Sequence, residues 1–227
     1  MRSVGFQPAE PLEVWAVTDG RAGIENQALG LAEALGRRTP ISLTTKRIGL
    51  RTPWSWLPAG FVPFPRQALA VGSDELAGPW PDIWIGCGRA SIPFSMGVRH
   101  WSNGRTFVAQ LQDPRVNVRE FDVVVPPIHD GLEGQNVLSI VGACHRVTPE
   151  RVATALDDYP APLEDLANPR IAVLIGGKSK RQDISAKRAR AIADALVALQ
   201  KSSGATLMVT LSRRTSEAAK LQLRTWL

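Results

Sequence analysis

The sequence predicts an α/β chain of two doubly wound parallel-sheet domains, the second incomplete, and three observations carry the prediction. Short apolar runs at Val14–Thr18, Asp82–Cys87 and Ile171–Ile175 each open into a glycine-bearing loop and then a helical pattern. That alternation continues on both sides of Tyr159–Pro169, a stretch with three prolines that reads as a linker. Beyond it only two strand signals remain, too few for a self-sufficient sheet buried on both faces. The expected division is a first domain over 1–158, a linker over 159–169 and a second domain over 170–227.

Taken in order, Val14–Thr18 is a strand that ends in Asp19-Gly20-Arg21-Ala22-Gly23, and Ile24–Leu35 is a helix with apolar Leu29, Leu31, Ala32 and Leu35. Asp19, Arg21, Glu25, Asn26 and Gln27 crowd the carboxyl end of that strand, the edge where open α/β sheets place ligands. Gly20 and Gly23 lack the full G-x-G-x-x-G spacing, so this is no dinucleotide fingerprint. Asp19 or Asn26 reads equally well as the cap of a turn. Ile41–Ile48 is the second strand, exposed and basic at Lys46 and Arg47.

The texture then changes. Pro53–Pro65 packs Trp54, Trp56, Phe61 and Phe64 among four prolines, bordered by Arg47, Arg51 and Arg66. Aromatics ringed by cations suit contact with an anionic membrane surface; the plainer reading is a lid or satellite cluster on its own domain.

Asp82–Arg89 repeats the strand-to-glycine pattern, with Gly86, Gly88 and Arg89 at its end, and Ser91 takes the third fingerprint position. Ser91 also stands where it caps a helix reaching Trp101. Thr106–Leu111 is a strand ending in Gln112-Asp113-Pro114-Arg115, and Phe121–Val125 is one ending in Pro126–Gly131. His129, followed by Asp130 in that loop, suits acid–base chemistry or substrate contact, or is plain surface. Asn136–Val141 reads as the strand that closes this half, and Pro149–Leu156 as a short helix.

In the second half, the strand Ile171–Ile175 runs into Gly176-Gly177-Lys178-Ser179-Lys180-Arg181, and Asp183 or Ser185 caps a helix through Ala186–Gln200 with apolar Ile192, Leu196 and Leu199. Glycines that let a backbone approach a ligand, beside cations and a helix N-terminus with unpaired N–H groups, suit a phosphate or diphosphate. Gly177-Lys178-Ser179 imitates the end of a P-loop, but that motif needs glycine where Ala172 stands. A glycine turn with solvated lysines is the alternative. Thr206–Leu211, the loop Ser212-Arg213-Arg214-Thr215 and a helix from Ser216 complete the chain.

Composition excludes more than it selects. With 44% hydrophobic and 21% charged residues in 227, disorder and fibrous structure are out. No apolar run approaches the roughly 20 residues that cross a bilayer, and the start has no secretory h-region, which makes a cytoplasmic placement the expectation. Cys87 and Cys144 form no CxxC pair and read as buried thiols. A net charge of +6 favours anionic partners, yet one tyrosine and no aromatic RNA-binding run argue against nucleic acid. No His/Cys cluster argues for a metal, and no readable carboxylate pair argues for hydrolysis.

Together, Asp19–Gln27, Ile85–Arg89, Gln110–Arg115, Phe121-Asp122, His129-Asp130, Ile175–Ser179 and Ser212–Thr215 resemble the mitochondrial fission Elm family over nearly the whole chain. Bacterial members look like GT-B glycosyltransferases, so the resemblance implies two Rossmann-like domains in a GT-B-like arrangement. It implies a nucleotide-diphosphate sugar as co-substrate, held mainly by the second domain, with no other cofactor and no metal. The acceptor, of unknown identity, belongs to the first. On that reading Asp19 or Glu25 is the base, with His129 in reserve. Gly20, Arg21, Gly23, Gln27, Gly86, Gly88, Arg89, Gln112 and Asp130 line the acceptor side; Gly176, Gly177, Lys178, Ser179, Ser212, Arg213, Arg214 and Thr215 hold the donor. A lipid-linked acceptor gives Trp54–Phe64 a purpose and puts the protein on the inner face of the membrane. The family's second domain continues into further strands and an acidic Glu-Asp-Ser stretch, so the resemblance implies a C-terminal part that these 227 residues lack. Plant members are associated with recruiting a dynamin-related protein, which sets a non-catalytic adaptor, or an inactive fragment, against the enzyme.

Overall fold

The computed structural model describes residues 10–158, 166–177 and 183–226. The chain divides into two compact units between Thr148 and Pro149. Most of the expected linker, and Lys178 through Gln182, lie outside the described residues.

The first unit is built on a parallel sheet of β1 (Leu12–Thr18), β2 (Ile41–Arg47), β3 (Ile83–Cys87), β4 (Phe107–Leu111) and β5 (Val123–Val125), in the order β2-β1-β3-β4-β5. Two-residue alternation decides what each face buries. Val14, Ala16, Ile85, Cys87, Ala109 and Leu111 meet Ala28 and Ala32 of helix α1 (Ala22–Gly36). Trp15, Val17, Trp84, Val108 and Val124 meet Ile92, Phe94 and Val98 of helix α2 (Ile92–Trp101) on the other face. With α1 and α2 on opposite faces, the winding reverses between β1 and β3.

Each face has its own packing device. Over α1 the chain at His145 comes so close that a Cβ added to Gly30 would sit 2.6 Å from the His145 carbonyl. Arg146 Nε donates to Glu33 of the same helix at 2.7 Å and ties the segment down. On the opposite face, Trp84, Trp15, Trp80 and Trp101 form a row of ring contacts with centroids 5.4–6.0 Å apart, T-shaped between Trp15 and Trp80 and tilted at the other two. The buried Trp84 N–H donates to Ser95 Oγ at 2.9 Å, which removes the cost of an orphaned donor. Lys46, expected in solvent, is half-buried with its ammonium 4.8 Å from the centroid of Trp15.

Two local expectations are corrected. Asn136–Val141 is no strand: it makes single bridges to β5 at Val124–Val137 and to the loop after it at Pro127–Ile140. Pro126 and Pro127 have no N–H to carry a ladder between them. Ser91 stands at the N-cap position of α2 but makes no side-chain cap bond: Pro93 at N2 has no N–H, the Ser91 backbone is already helical, and its hydroxyl donates to the Gly88 carbonyl at 2.8 Å. Cys144 is half-buried, whereas Cys87 is fully buried.

The second unit pairs β6 (Arg170–Ile175) with β7 (Thr206–Leu211) in parallel. It also contains helices α3 (Pro149–Asp158), α4 (Ala186–Ser203) and α5 (Glu217–Trp226). Ser185 caps α4 by accepting from the Arg188 N–H at 3.2 Å. Ala189, Ala193, Ala219 and Leu223 bury against Ile175, with Val173, Ile192, Leu196 and Val209 around them. Leu199, one turn beyond that stripe, is 39% exposed.

Two glycines of α1 should respond oppositely to alanine. Gly30→Ala forces a methyl into the His145 backbone and should destabilise by about 1–3 kcal/mol. Gly23→Ala meets nothing within 4 Å and should stabilise by up to about 1 kcal/mol. Denaturant midpoints at constant m check both.

Candidate functional site

The reversal between β1 and β3 is a topological switch point, and it lies where the sequence put its polar cluster. Gly20 turns the chain after β1 at φ +75°, and its N–H donates to the Thr18 hydroxyl at 3.1 Å. Asp19 then folds back: Oδ1 accepts from the Arg21 N–H at 3.1 Å, and Oδ2 from Arg21 Nε and Nη2 at 2.8 and 2.6 Å. Asp19 is thus the turn-capping residue that the plainer reading expected, and it is ion-paired as well. Across the crevice Gly88 turns at φ +85°, and a Cβ there would lie 3.3 Å from Asp19 Oδ2 and 2.9 Å from Ile24. The carboxylate therefore rests over the glycine of the β3 loop.

The neighbouring strand ends extend the row. At the end of β2, Arg47 clasps Glu25 in the first turn of α1 with Nε and Nη2 at 2.7 and 2.9 Å. That guanidinium holds the Glu25 carboxyl below the usual glutamate range, so Glu25 is a weak base. At the end of β4, Gln112 takes φ +68° and donates from Nε2 to Gln27 Oε1 at 3.2 Å. The helix α1 starts at this edge with no side-chain cap, leaving its N-terminus available to an anion. Gly23 lies in its exposed first turn.

Beneath the edge, burial and the Asp19 charge push the Cys87 thiol up to about 12, so it stays neutral. Gly86 has a different duty from the one expected. A Cβ there would be 2.3 Å from Ser95 Oγ and 2.5 Å from Gln110 Oε1, so this glycine lets a polar layer pack under α2. Arg89 is engaged by its own domain, donating to the carbonyls of Ser55 and Leu57.

His129 and Asp130 follow β5, the edge strand, two places from β3. The histidine is exposed, with Nε2 3.7 Å from the Asp130 carboxylate. The sheet order does not bring this pair to the crevice. Conversely, Arg47 joins the site through Glu25, a role the sequence reading did not give it, because the pairing needs the adjacency of β2 and β1, which spacing does not reveal.

In the second unit the two strand ends also meet. Thr215 Oγ1 donates to the Gly176 carbonyl at 3.1 Å, and a Cβ on Gly177 would fall 2.3 Å from the Arg214 carbonyl carbon. Only glycine admits the β7 loop there. Ser212 Oγ accepts from the Arg214 N–H at 3.2 Å, Thr215 is buried, and Arg213 and Arg214 reach solvent. Lys178 and Ser179 lie outside the described residues. No group of three or more His, Cys, Asp or Glu side chains that could hold a metal occurs among the described residues.

Residues 22–227 match the family described as Mitochondrial fission ELM1. The chain belongs to that family. Mitochondrial fission protein ELM1 of Arabidopsis thaliana is 24% identical over 269 aligned positions, covering 88% of this chain and 63% of the plant protein. The chain therefore spans less than two thirds of that relative's length. Among solved structures, MurG of Acinetobacter baumannii aligns over 92% of this chain and 68% of its own, at 15% identity and a TM-score of 0.37. In this member of the ELM1 family no helix among the described residues is long and apolar enough to cross a membrane.

The Arg47–Glu25 pair gives a pH signature. Because the folded-state pKa of Glu25 is lowered, the pair's contribution is complete above the ordinary glutamate value of about 4.3 and fades as pH falls through the folded value. Arg47 is 64% exposed, so the contribution is small and salt-sensitive. Glu25→Gln should be less stable than the parent at neutral pH and equal to it in acid. Urea titrations across that range would show a pH-independent gap if the pair did not form.

Proposed function

We propose that the chain is the core of a glycosyltransferase that uses a nucleotide-diphosphate sugar and acts without a bound metal. The first unit's edge takes the acceptor hydroxyl and the second unit's edge the diphosphate. The observation that carries the reading is the row of four adjacent strand ends, Arg47, Asp19, Gly88 and Gln112, at a topological switch point. Family membership supports it through the GT-B-like fold that the resemblance implies.

In the reaction Asp19 accepts the acceptor's hydroxyl proton as the oxygen attacks the anomeric carbon. The bond from that carbon to the diphosphate breaks, and its electron pair leaves on the diphosphate oxygen. Arg213 and Arg214, with Lys178, Ser179 and the backbone at Gly176 and Gly177, offset the charge that develops there. Arg21 is 69% exposed, so it can leave Asp19 when substrate arrives. Glu25, clasped by Arg47, positions the start of α1.

A second reading is favoured by one specific observation. Both carboxylates at the edge already carry guanidinium partners, which suits a binding surface that keeps the fold without the chemistry. On that reading the protein is an adaptor for a protein partner, as the fission role in the plant relative's name suggests.

Asp19→Asn should lower turnover of a uridine- or guanosine-diphosphate sugar by about 10²–10⁴-fold with the donor Kd unchanged. Arg213→Ala with Arg214→Ala should weaken donor binding by roughly tenfold or more, as expected for charge-assisted contacts. Calorimetry and sugar-transfer assays separate the readings. Partner capture that survives both variants, with no donor binding by the parent, would establish the adaptor.

A further inference from the structure

The stretch from Pro53 to Ala68 folds as three short 3-10 turns, Trp54–Trp56, Ala59–Phe61 and Pro65–Ala68. Its burial order is inverted. The small residues Ala59, Val62 and Ala68 face the core, and Gly60 packs where an added Cβ would be 3.0 Å from Val116. Three of its four aromatics face out, Trp56 at 77% exposed, Phe61 at 72% and Phe64 at 59%, while Trp54 is half-buried. A segment that merely covered its own sheet would bury those rings, since each removes far more apolar area from water than an alanine does.

The charge within the segment itself has one sign. From Arg51 to Gly72 the chain carries two arginines and no aspartate or glutamate. Both arginines are exposed, and the guanidinium of Arg66 is held 4.7 Å from the Trp101 centroid and 5.4 Å from that of Trp80. An adjoining groove of about 290 Å³ has Pro63, Pro65, Met96 and Trp101 in its lining, with Glu120 as its acid.

We infer that this face docks on an anionic phospholipid bilayer, with Trp56, Phe61 and Phe64 in the interface and Arg51 and Arg66 on headgroup phosphates. Exposed aromatics on proline-stiffened turns bury area there at little entropic cost, and the cations match the negative leaflet. The docked face is also wired to the candidate site. Arg89 leaves the end of β3 and donates through Nη1 to the Ser55 carbonyl at 3.0 Å and through Nη2 to that of Leu57. The turn that carries Trp56 is thus tied to the residue next to Gly88, at the end of β3.

Vesicle co-sedimentation tests the surface independently of sugar transfer. The full chain should bind vesicles of phosphatidylcholine with phosphatidylglycerol more tightly than phosphatidylcholine alone, and lose binding as salt rises. Changing Trp56, Phe61 and Phe64 together to alanine should weaken binding by on the order of tenfold or more. Arg51→Glu, a change confined to an exposed side chain, should weaken it by roughly fivefold or more. Circular dichroism and thermal melts confirm that each variant is folded. If the triple variant does not fold, Arg51→Glu and the salt series still decide. Parent protein that ignores both vesicle types, equal affinity for the two, or folded variants that bind like the parent would overturn the inference. So would self-association lost in the triple variant without any effect on lipid binding, which would assign the face to a second copy of the chain.

Discussion

The first unit depends on one close approach, that of the Asp19 carboxylate to the backbone at Gly88. Two loops that leave neighbouring strands toward opposite faces of a sheet need not touch. Here the β3 loop turns at a positive φ, where L side chains are strained, and the space a Cβ would fill is taken by Asp19 and Ile24. Ile24 lies in the first turn of α1, so the same glycine sets how close that helix begins to the crevice. The edge that the helix and the carboxylate share therefore depends on the missing Cβ at Gly88, which leaves room for the side chains of Asp19 and Ile24.

Charge follows from that geometry. Two carboxylates brought to one edge would repel each other and an incoming phosphate, and each is instead matched to a guanidinium: Asp19 to Arg21, Glu25 to Arg47. The partners differ in origin. Arg21 is two residues from Asp19, so that pair forms wherever the turn forms. Arg47 comes from the end of the adjacent strand and pairs only when β2 docks beside β1. Glu25 thus reports the assembled sheet, while Asp19 reports its own loop. The thiol of Cys87 beneath them is buried and neutral, which keeps a third negative charge out of the edge.

Much of this was legible in the sequence, and the boundary has physical reasons. Strand and helix positions came from the two-residue and three-to-four-residue periods, and the parallel sheets came from their alternation. Asp19, Gly20, Gly88 and Gln112 were legible as residues at strand ends, because polar residues following an apolar run mark the ligand edge of such sheets. What spacing could not give was strand order. Without it, His129 at the end of the edge strand β5 looked as close to the crevice as Gly88, and Arg47 read as an exposed cation bordering the aromatic stretch, not as the partner of Glu25. Gly86 looked like a ligand contact because its neighbours in sequence are those of a phosphate loop. In space its neighbours are Ser95 and Gln110, and the glycine is there for packing. The Asn136–Val141 run had strand-like composition, but the two prolines of its partner broke the ladder.

The two edges are made by one rule and carry opposite chemistry. In both units a glycine at the end of one strand admits the loop of the next: Gly88 under Asp19 in the first, Gly177 against Arg214 in the second. The first edge holds two acids that their cations neutralise. In the second, residues 176–177 and 212–215 supply two exposed arginines, two hydroxyls and backbone, with no acid among them. A diphosphate brought to the first edge would have to displace a carboxylate from its guanidinium. At the second, the exposed guanidiniums of Arg213 and Arg214 have no carboxylate within their own loop to displace. Breaking such an ion pair costs free energy that the second edge does not demand, which is why the proposed reading gives the anionic donor to the second unit and the uncharged acceptor hydroxyl to the first.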